Sequence, residues 1–354
     1  MLDFITEKIS CWDILKNDKR PIFIYGMGDG ALKIMKVFEE YGISTAGFFA
    51  SDEFVRGHSF SGHLVHKLSE IENQVKDFII VLAFAAGYES LYEKIKELAK
   101  RHTLYAPDVP VAGGGLFTYD YCLEHKEEIS QVYDMLADDV SKKTFADIIN
   151  FKISGKIEYL DRCTTEKSEV YTDIIKPSAD EVYIDLGAYN GDTVQEFISC
   201  AGGYRQIFAV EPDRKNFKKL LKNTENLENI SLFNAAAWNN SNSVKFSSKH
   251  GRQSSVDNNG ELLQSLSVDD LMKTDNFIPT VIKMDIEGAE AEALKGAETA
   301  IRKFSPSLMI SIYHRNEDIF KIPLIIRNLN PDYKFFIRHQ LYIPAWETNL
   351  YCTK

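Results

Sequence analysis

Cysteine is scarce and scattered in this chain. Its 354 residues include five, at Cys11, Cys122, Cys163, Cys200 and Cys352, with no Cys-x-x-Cys pair. That spacing excludes a disulfide framework and a cysteine zinc site, and reads as reduced thiols in a cytoplasmic protein. Long apolar runs are missing too. No stretch of about 18 apolar residues occurs, so no membrane-spanning helix is expected. The opening MLDFITEKISCWDILK carries acidic residues early and is not read as a signal peptide. Positive charge is in deficit: 41 Lys and Arg stand against 52 Asp and Glu, a formal net charge of -11. A nonspecific nucleic-acid binder needs a basic face, so that class is set aside. No short-period repeat or low-complexity tract is present. What remains is ordinary for a globular protein long enough for two domains, with 44% hydrophobic and 26% charged residues.

The apolar pattern divides the chain into two α/β units and a helical middle, with boundaries at 1–110, 111–176 and 177–354. In the first unit a strand at Pro21–Tyr25 runs into Gly26-Met27-Gly28-Asp29-Gly30-Ala31, followed by a helix from Leu32 to Tyr41 that Gly42 stops. Further strands are expected at Ser44–Ala50, Asp77–Phe84 and near Leu104, with a helix at Tyr88–Arg101. The middle reads as helical from Tyr119, ends at Gly155 and serves as a packing spacer; Leu123, Ile129, Val132, Tyr133, Leu136 and Val140 fall at helical spacing. The second unit should have strands near 181–186, 205–211, 230–235, 280–285 and 307–313 with helices between them, then two more near 332–338 and 346–352. Strands alternating with helices indicate a parallel, doubly wound sheet.

The densest chemical signal is EVYIDLGAYNGDTV (Glu181–Val194), followed by FAVEPD (Phe208–Asp213). A buried strand ends in a glycine turn, and a second strand ends in Glu211, 26 positions after Asp185. A carboxylate there can accept hydrogen bonds from two ribose hydroxyls. The turn is not Gly-x-Gly-x-x-Gly, and Asp185 and Asp192 would repel a diphosphate. A cationic nucleoside, S-adenosyl-L-methionine, fits better. In that reading Gly187 and Gly191 admit the ligand to the backbone, Ala188 and Tyr189 complete the turn, and Asp185 accepts from the methionine ammonium. Small residues Ala235 and Ala236, after Asn234, leave room for adenine, and Asp213 is a helix N-cap.

Asp285 stands at the mouth of the central sheet, where it is expected to border the cofactor and could orient an acceptor hydroxyl or a metal. Glu287 either assists it or, like Glu290, complements a helix dipole. His314, after the fifth strand, is the candidate base, since an alcohol must lose its proton as its oxygen takes the methyl group. Arg315 would pair with an anionic substrate group, and His250, Arg252 and Ser254 lie in a polar stretch suited to covering a site. No second ligand accompanies Asp285 at clear spacing, so no metal is expected.

Together, the DLGAYNGD and DIEGAE blocks resemble the FkbM family of S-adenosylmethionine-dependent methyltransferases, over roughly Tyr171 to Lys354. The resemblance implies a class I, Rossmann-like seven-stranded methyltransferase domain whose last two strands form an antiparallel hairpin. It implies O-methylation of a sugar, nucleotide-sugar or glycan precursor, with Trp346-Glu347-Thr348 lining the acceptor pocket. The first unit, with YGMGDGA, Asp52 and GHSFSGHLVHKLSEI (Gly57–Ile71), resembles the smaller Rossmann-like α/β domain that precedes bacterial sugar acyltransferases. It either holds a nucleotide-linked sugar or serves as an interaction domain. Two rival readings stay open: an NAD-dependent sugar-modifying enzyme, weakened by the absence of a Tyr-x-x-x-Lys pair, and a non-catalytic binding module on a relic fold. Homo-oligomerisation is also open.

Overall fold

A computed structural model describes residues 2–52, 55, 57, 59–247, 255–256 and 261–354. The first unit is a six-stranded sheet of β1 (Ile22–Tyr25), β2 (Gly47–Ala50), β3 (Ser59–Phe60), β4 (His63–Lys67), β5 (Ile79–Leu82) and β6 (Thr103–Tyr105), in the order β3-β4-β2-β1-β5-β6. All neighbours are parallel except β3 and β4. Strands β1, β2 and β5 are buried at every residue, which is why they read as unbroken apolar runs. The helix after β1 begins at Asp29, three residues earlier than the apolar spacing suggests, and ends at Gly42 in the left-handed conformation. The hairpin of β3 and β4 was not anticipated. His63 and Leu64 are exposed, so the segment lacks a buried strand's signature.

In the second unit, β7 (Val182–Leu186), β8 (Gln206–Val210) and β9 (Ile230–Phe233) come first. A separate small sheet follows, of β10 (Ala236–Ala237), β11 (Ser243–Ser247), β12 (Ser255–Val256) and β13 (Glu261–Leu266), none of which was expected as a strand. Then come β14 (Val281–Met284), β15 (Ser307–Ser311), β16 (Lys334–His339) and β17 (Thr348–Thr353). The main sheet has seven strands in the order β16-β17-β15-β14-β7-β8-β9. Only β17 runs antiparallel to its neighbours, forming the expected hairpin with β16. Strand order reverses between β7 and β14, and in an open α/β sheet that switch point opens a crevice at the strands' C-terminal ends. Asp185 and Asp285 both lie there.

The helical middle comprises helices Tyr119–Glu124, Lys126–Met135, Asp139–Ser154, Glu158–Cys163 and Lys167–Glu169, and a π-helical turn at Val170–Ile175. Gly155 caps the helix before it, but helical structure resumes after it. Ile129 and Val132 are buried, whereas Leu123 and Val140 are exposed. This region does more than space the units. It covers the edge of β16: Ala137 N donates to Phe335 O at 2.9 Å and Thr165 N to His339 O at 2.8 Å. Ile337 N donates to Ser141 Oγ at 3.0 Å, and Arg338 pairs with Asp138 at 2.6 Å. A sheet edge left bare invites foreign strands, and these bonds occupy it. One apolar cluster runs from Phe23 and Ile80 through Phe145 and Ile149 to Ile310 and Phe335, so all three segments share a core.

Candidate active site

The turn after β7 is held from behind by a buried ion pair. Strand register sets Asp185 beside Lys283, and Lys283 Nζ lies 2.9 Å from Asp185 Oδ1. The same ammonium donates to Gly187 O at 2.8 Å, and Thr193 Oγ1 donates to Asp185 Oδ2. Burial works against the Lys283 charge, but Asp185 and Asp285 outweigh it and hold its pKa up at about 12. Asp185 is therefore engaged by protein groups and fully buried. The direct contact with a ligand ammonium expected of it is not what this geometry offers. Gly187 has φ 85°, and a Cβ there would lie 1.9 Å from Asp285 O. Glycine is thus required by the close approach of two strand ends. At Gly191 (φ 88°) a Cβ would meet Leu220 Cδ1 at 3.0 Å, a packing constraint between helices.

Glu211 ends β8 with its side chain buried and both oxygens anchored. Tyr189 N donates to Oε2 at 2.9 Å and Asp213 N to Oε1 at 2.8 Å. Burial lifts its carboxyl to about 7, against the pull of those two N–H groups. Asn234 Nδ2 donates to the carbonyls of Glu211 and Pro212 at 2.8 and 3.0 Å, fixing the strand end. Asp213 caps the next helix, as expected, accepting from Lys215 N and Asn216 N.

Behind Asp285 lies a histidine among carboxylates. His314 is buried, with Nε2 3.3 Å from Asp285 Oδ1 and 3.7 Å from Glu287 Oε2, and Nδ1 2.9 Å from Glu290 Oε1. Burial disfavours a charged ring, but Glu290, then Asp285 and Glu287, outweigh it and raise the pKa to about 10. Such a ring already carries its proton at neutral pH. His314 also sits behind the cavity wall, so its expected role as base does not follow from this placement. Asp285 is favourably placed instead: it faces the cavity, accepts from Tyr313 OH at 3.2 Å, and is kept below the usual carboxylate range despite burial, by Lys283 and His314. Arg315 Nε donates to Gly288 O at 2.8 Å, so its guanidinium braces the DIEG turn.

These strand ends surround a cavity of about 510 Å³. Gly187, Tyr189, Glu211, Ala236, Ala237 and Asp285 line it, and so do Tyr342, Trp346 and Glu347. Asp185, Ala188, Gly191 and Ala235 lie behind the wall. Ala235 belongs to the core, and Ala236 and Ala237 form the small-residue floor, Ala237 being part of that core as well. Seven carboxylates and two ammonium groups face the cavity, a balance that suits a cationic ligand. Three wall residues that are not glycine, Tyr189 (φ 47°), Glu287 (φ 55°) and Glu347 (φ 60°), adopt left-handed backbone. Strain of that kind persists where surrounding structure enforces it, commonly at functional sites.

Several wall residues were not foreseen. Lys283 had a signal, a charge inside the buried run VIKM. Lys167 and Tyr171 had none, because they arrive from the helical middle; Tyr171 OH donates to Glu196 Oε1 at 2.9 Å, and Lys167 pairs with Glu196 Oε2 at 2.7 Å. His250, Arg252 and Ser254 lie outside the described residues.

The glycine turn of the first unit is built for packing. Added Cβ atoms at Gly26 and Gly30 would meet Phe84 Cδ1 at 2.6 Å and Ala83 O at 2.4 Å. Asp52 accepts from Ser69 Oγ at 2.7 Å. Asp29, at the start of the following helix, reaches the wall of the same cavity, as does Val111.

Residues 185–342 match the family model described as the methyltransferase FkbM domain. No curated protein matches the chain. Among solved structures, a methyltransferase FkbM from Methylobacillus flagellatus KT aligns with 95% of this chain and 90% of its own, at 22% identity and a TM-score of 0.73. At that identity it shows a shared fold over nearly the whole length. An rRNA methylase from Streptococcus thermophilus (12% identity, 53% of this chain and 93% of its own, TM-score 0.34) is more distant. Fibrillarin from Aeropyrum pernix with natively bound S-adenosyl-L-methionine (12% identity, 52% and 71%, TM-score 0.34) is equally so. Neither is similar enough to bear on this chain's chemistry. With the seven-stranded sheet and the crevice at its switch point, the family match establishes that the chain carries a methyltransferase FkbM domain at residues 185–342.

Proposed function

We propose that the chain transfers a methyl group from S-adenosyl-L-methionine to a hydroxyl of a sugar, nucleotide-sugar or glycan precursor. The observation that carries the cofactor is Glu211, a buried carboxylate whose two oxygens are oriented by backbone N–H groups beside a cavity with a floor of alanines. Each oxygen keeps a lone pair for a ribose hydroxyl. Gly187 and Tyr189 offer backbone to the same ligand. The acidic wall complements a sulfonium, which supplies an electrophilic methyl group. Asp185 acts indirectly, by holding Lys283 and so the carbonyl of Gly187.

On the acceptor side, Asp285 accepts a hydrogen bond from the incoming hydroxyl, aims its oxygen, and takes its proton as the new carbon–oxygen bond forms and S-adenosylhomocysteine leaves. Tyr313 fixes one carboxylate oxygen and His314 lies behind. Trp346 and Tyr342 stack at 5.7 Å between ring centroids and give the acceptor an apolar face. Most of the rate then comes from alignment. An acidic wall favours a neutral hydroxyl at the transfer point, so an acceptor bearing phosphates must keep them outside it. No helix among the described residues is long and apolar enough to cross a membrane.

Calorimetric titration with S-adenosylhomocysteine tests the reading. Micromolar binding, on the order of -8 kcal/mol, that is lost in Glu211→Ala supports it. No binding to the unaltered protein overturns it.

A further inference from the structure

Asp285, Glu290 and His314 bring two carboxylates and an imidazole to one place. Each of the three offers a ligand atom, and these atoms all lie within 4.8 Å of one another. Glu287 approaches the same ring at 3.7 Å. Three carboxylates thus approach one imidazole; the ring and Glu290 are buried, while the Asp285 and Glu287 side chains are 33% and 28% exposed. A carboxylate buried as Glu290 is costs free energy unless a cation compensates it.

A second observation is independent of the charge count. Glu290 is fully buried, and its Oε2 has no hydrogen-bond partner. Its Oε1 already accepts from Ile286 N at 2.9 Å, so the free oxygen is the one left for a ligand. Both ring nitrogens of His314 also lack an aligned hydrogen bond, although carboxylate oxygens lie close to them. A native fold rarely leaves buried polar atoms in that state without an ion or water.

We propose that Asp285, Glu290 and His314 form a site for a divalent cation, with the Glu287 carboxylate at its rim. Two carboxylates and an imidazole suit a borderline ion such as Mn²⁺. Around an octahedral ion with bonds of about 2.1 Å, ligand atoms sit roughly 3 Å apart when adjacent and about 4.2 Å when opposite, so the observed spread needs only slight tightening. Asp285 and Glu287 lie on the cavity wall while His314 and Glu290 lie behind it, so the open coordination positions face the acceptor. That orientation suits a cation that binds the acceptor oxygen. This last role rests on the methyltransferase reading of the cavity; binding of the cation does not.

The test is titration of the full-length protein with Mn²⁺, with free ion followed by electron paramagnetic resonance. One ion per chain is expected, with affinity weakened at least about ten-fold in His314→Gln and in Glu290→Gln. Affinity for S-adenosylhomocysteine should stay within about two-fold in both. Should either variant fail to fold, the unaltered protein still decides. Mn²⁺ should broaden the ring-proton resonances of a single buried histidine beyond detection. Absence of a bound ion at millimolar Mn²⁺, equal affinity in folded variants, or binding that broadens no buried histidine overturns the site. Loss of S-adenosylhomocysteine binding in the unaltered protein, with Mn²⁺ still bound, would count against the proposed function and leave the cation site standing.

Discussion

Lowering the pH from 8 to 6 should weaken S-adenosylhomocysteine binding about ten-fold through Glu211. Burial places this carboxyl's pKa at about 7 in the fold. Ribose hydroxyls donate hydrogen bonds, so the ligand prefers the ionised form. About nine-tenths of Glu211 is ionised at pH 8 and about one-tenth at pH 6, close to a factor of ten, or about 1.4 kcal/mol. Stability without ligand runs the other way. A carboxyl whose folded pKa exceeds its unfolded value of 4.5 contributes most below 4.5, and that contribution is lost as pH climbs through 7. Affinity should therefore rise over the window in which unliganded stability falls. Glu211→Gln removes the titration and flattens the affinity profile. Its single acceptor oxygen also cannot serve both Tyr189 N and Asp213 N, a deficit of about 1–3 kcal/mol in stability. Calorimetry at pH 6, 7 and 8 and constant ionic strength measures the slope. An affinity that does not change with pH, or an equal slope in the Gln variant, would refute the assignment of Glu211 as the ribose acceptor.

Other substitutions probe the remaining parts. Asp185→Asn leaves Lys283 buried without its anion and should cost about 3–5 kcal/mol, read as a lowered denaturation midpoint; Asp185→Asn with Lys283→Met should recover part of the loss. Gly187→Ala drives a methyl group onto Asp285 O at 1.9 Å, so binding of S-adenosylhomocysteine should vanish, and retained micromolar affinity would show that the turn can yield. Trp346→Ala should leave cofactor affinity within about two-fold while raising KM for any acceptor found by screening; an unchanged KM would remove Trp346 from the acceptor pocket.

The main sheet was legible because its central strands are buried on both faces, leaving apolar runs interrupted inside by Asp185 and Lys283, with Gly187, Glu211 and Asp285 just past the ends of β7, β8 and β14. The glycine turn after β7 was legible because it directly follows such a strand. The small sheet of β10 to β13 was not, since SNSVKFSS has no continuous apolar run and few alternating ones. It also moved the alanine floor: Ala236, paired with β13, lines the cavity together with Ala237, while Ala235 and Ala237 are both part of the core. Sequence spacing also could not show what Asp185 touches. Its partner Lys283 lies 98 positions away, and only the register of β7 against β14 brings them together. The same limit applied to His314, whose residue type suggested a base while its neighbours surround the ring with carboxylates.

The covering of β16 sets an order of events during folding. Ser141 bonds to Ile337 across 196 positions, and Arg338 to Asp138 across 200. The helix Asp139–Ser154 is complete as a local structure long before the strand that covers it has been synthesised. Closing so large a loop costs entropy before any contact repays it, and topologies dominated by such distant contacts fold slowly. In the interval the face of that helix that β16 meets lacks its cover, although Phe145 already has Phe4 and Tyr133 beside it. On this topology the strand that completes the packing of that helix is among the last parts of the chain to be made.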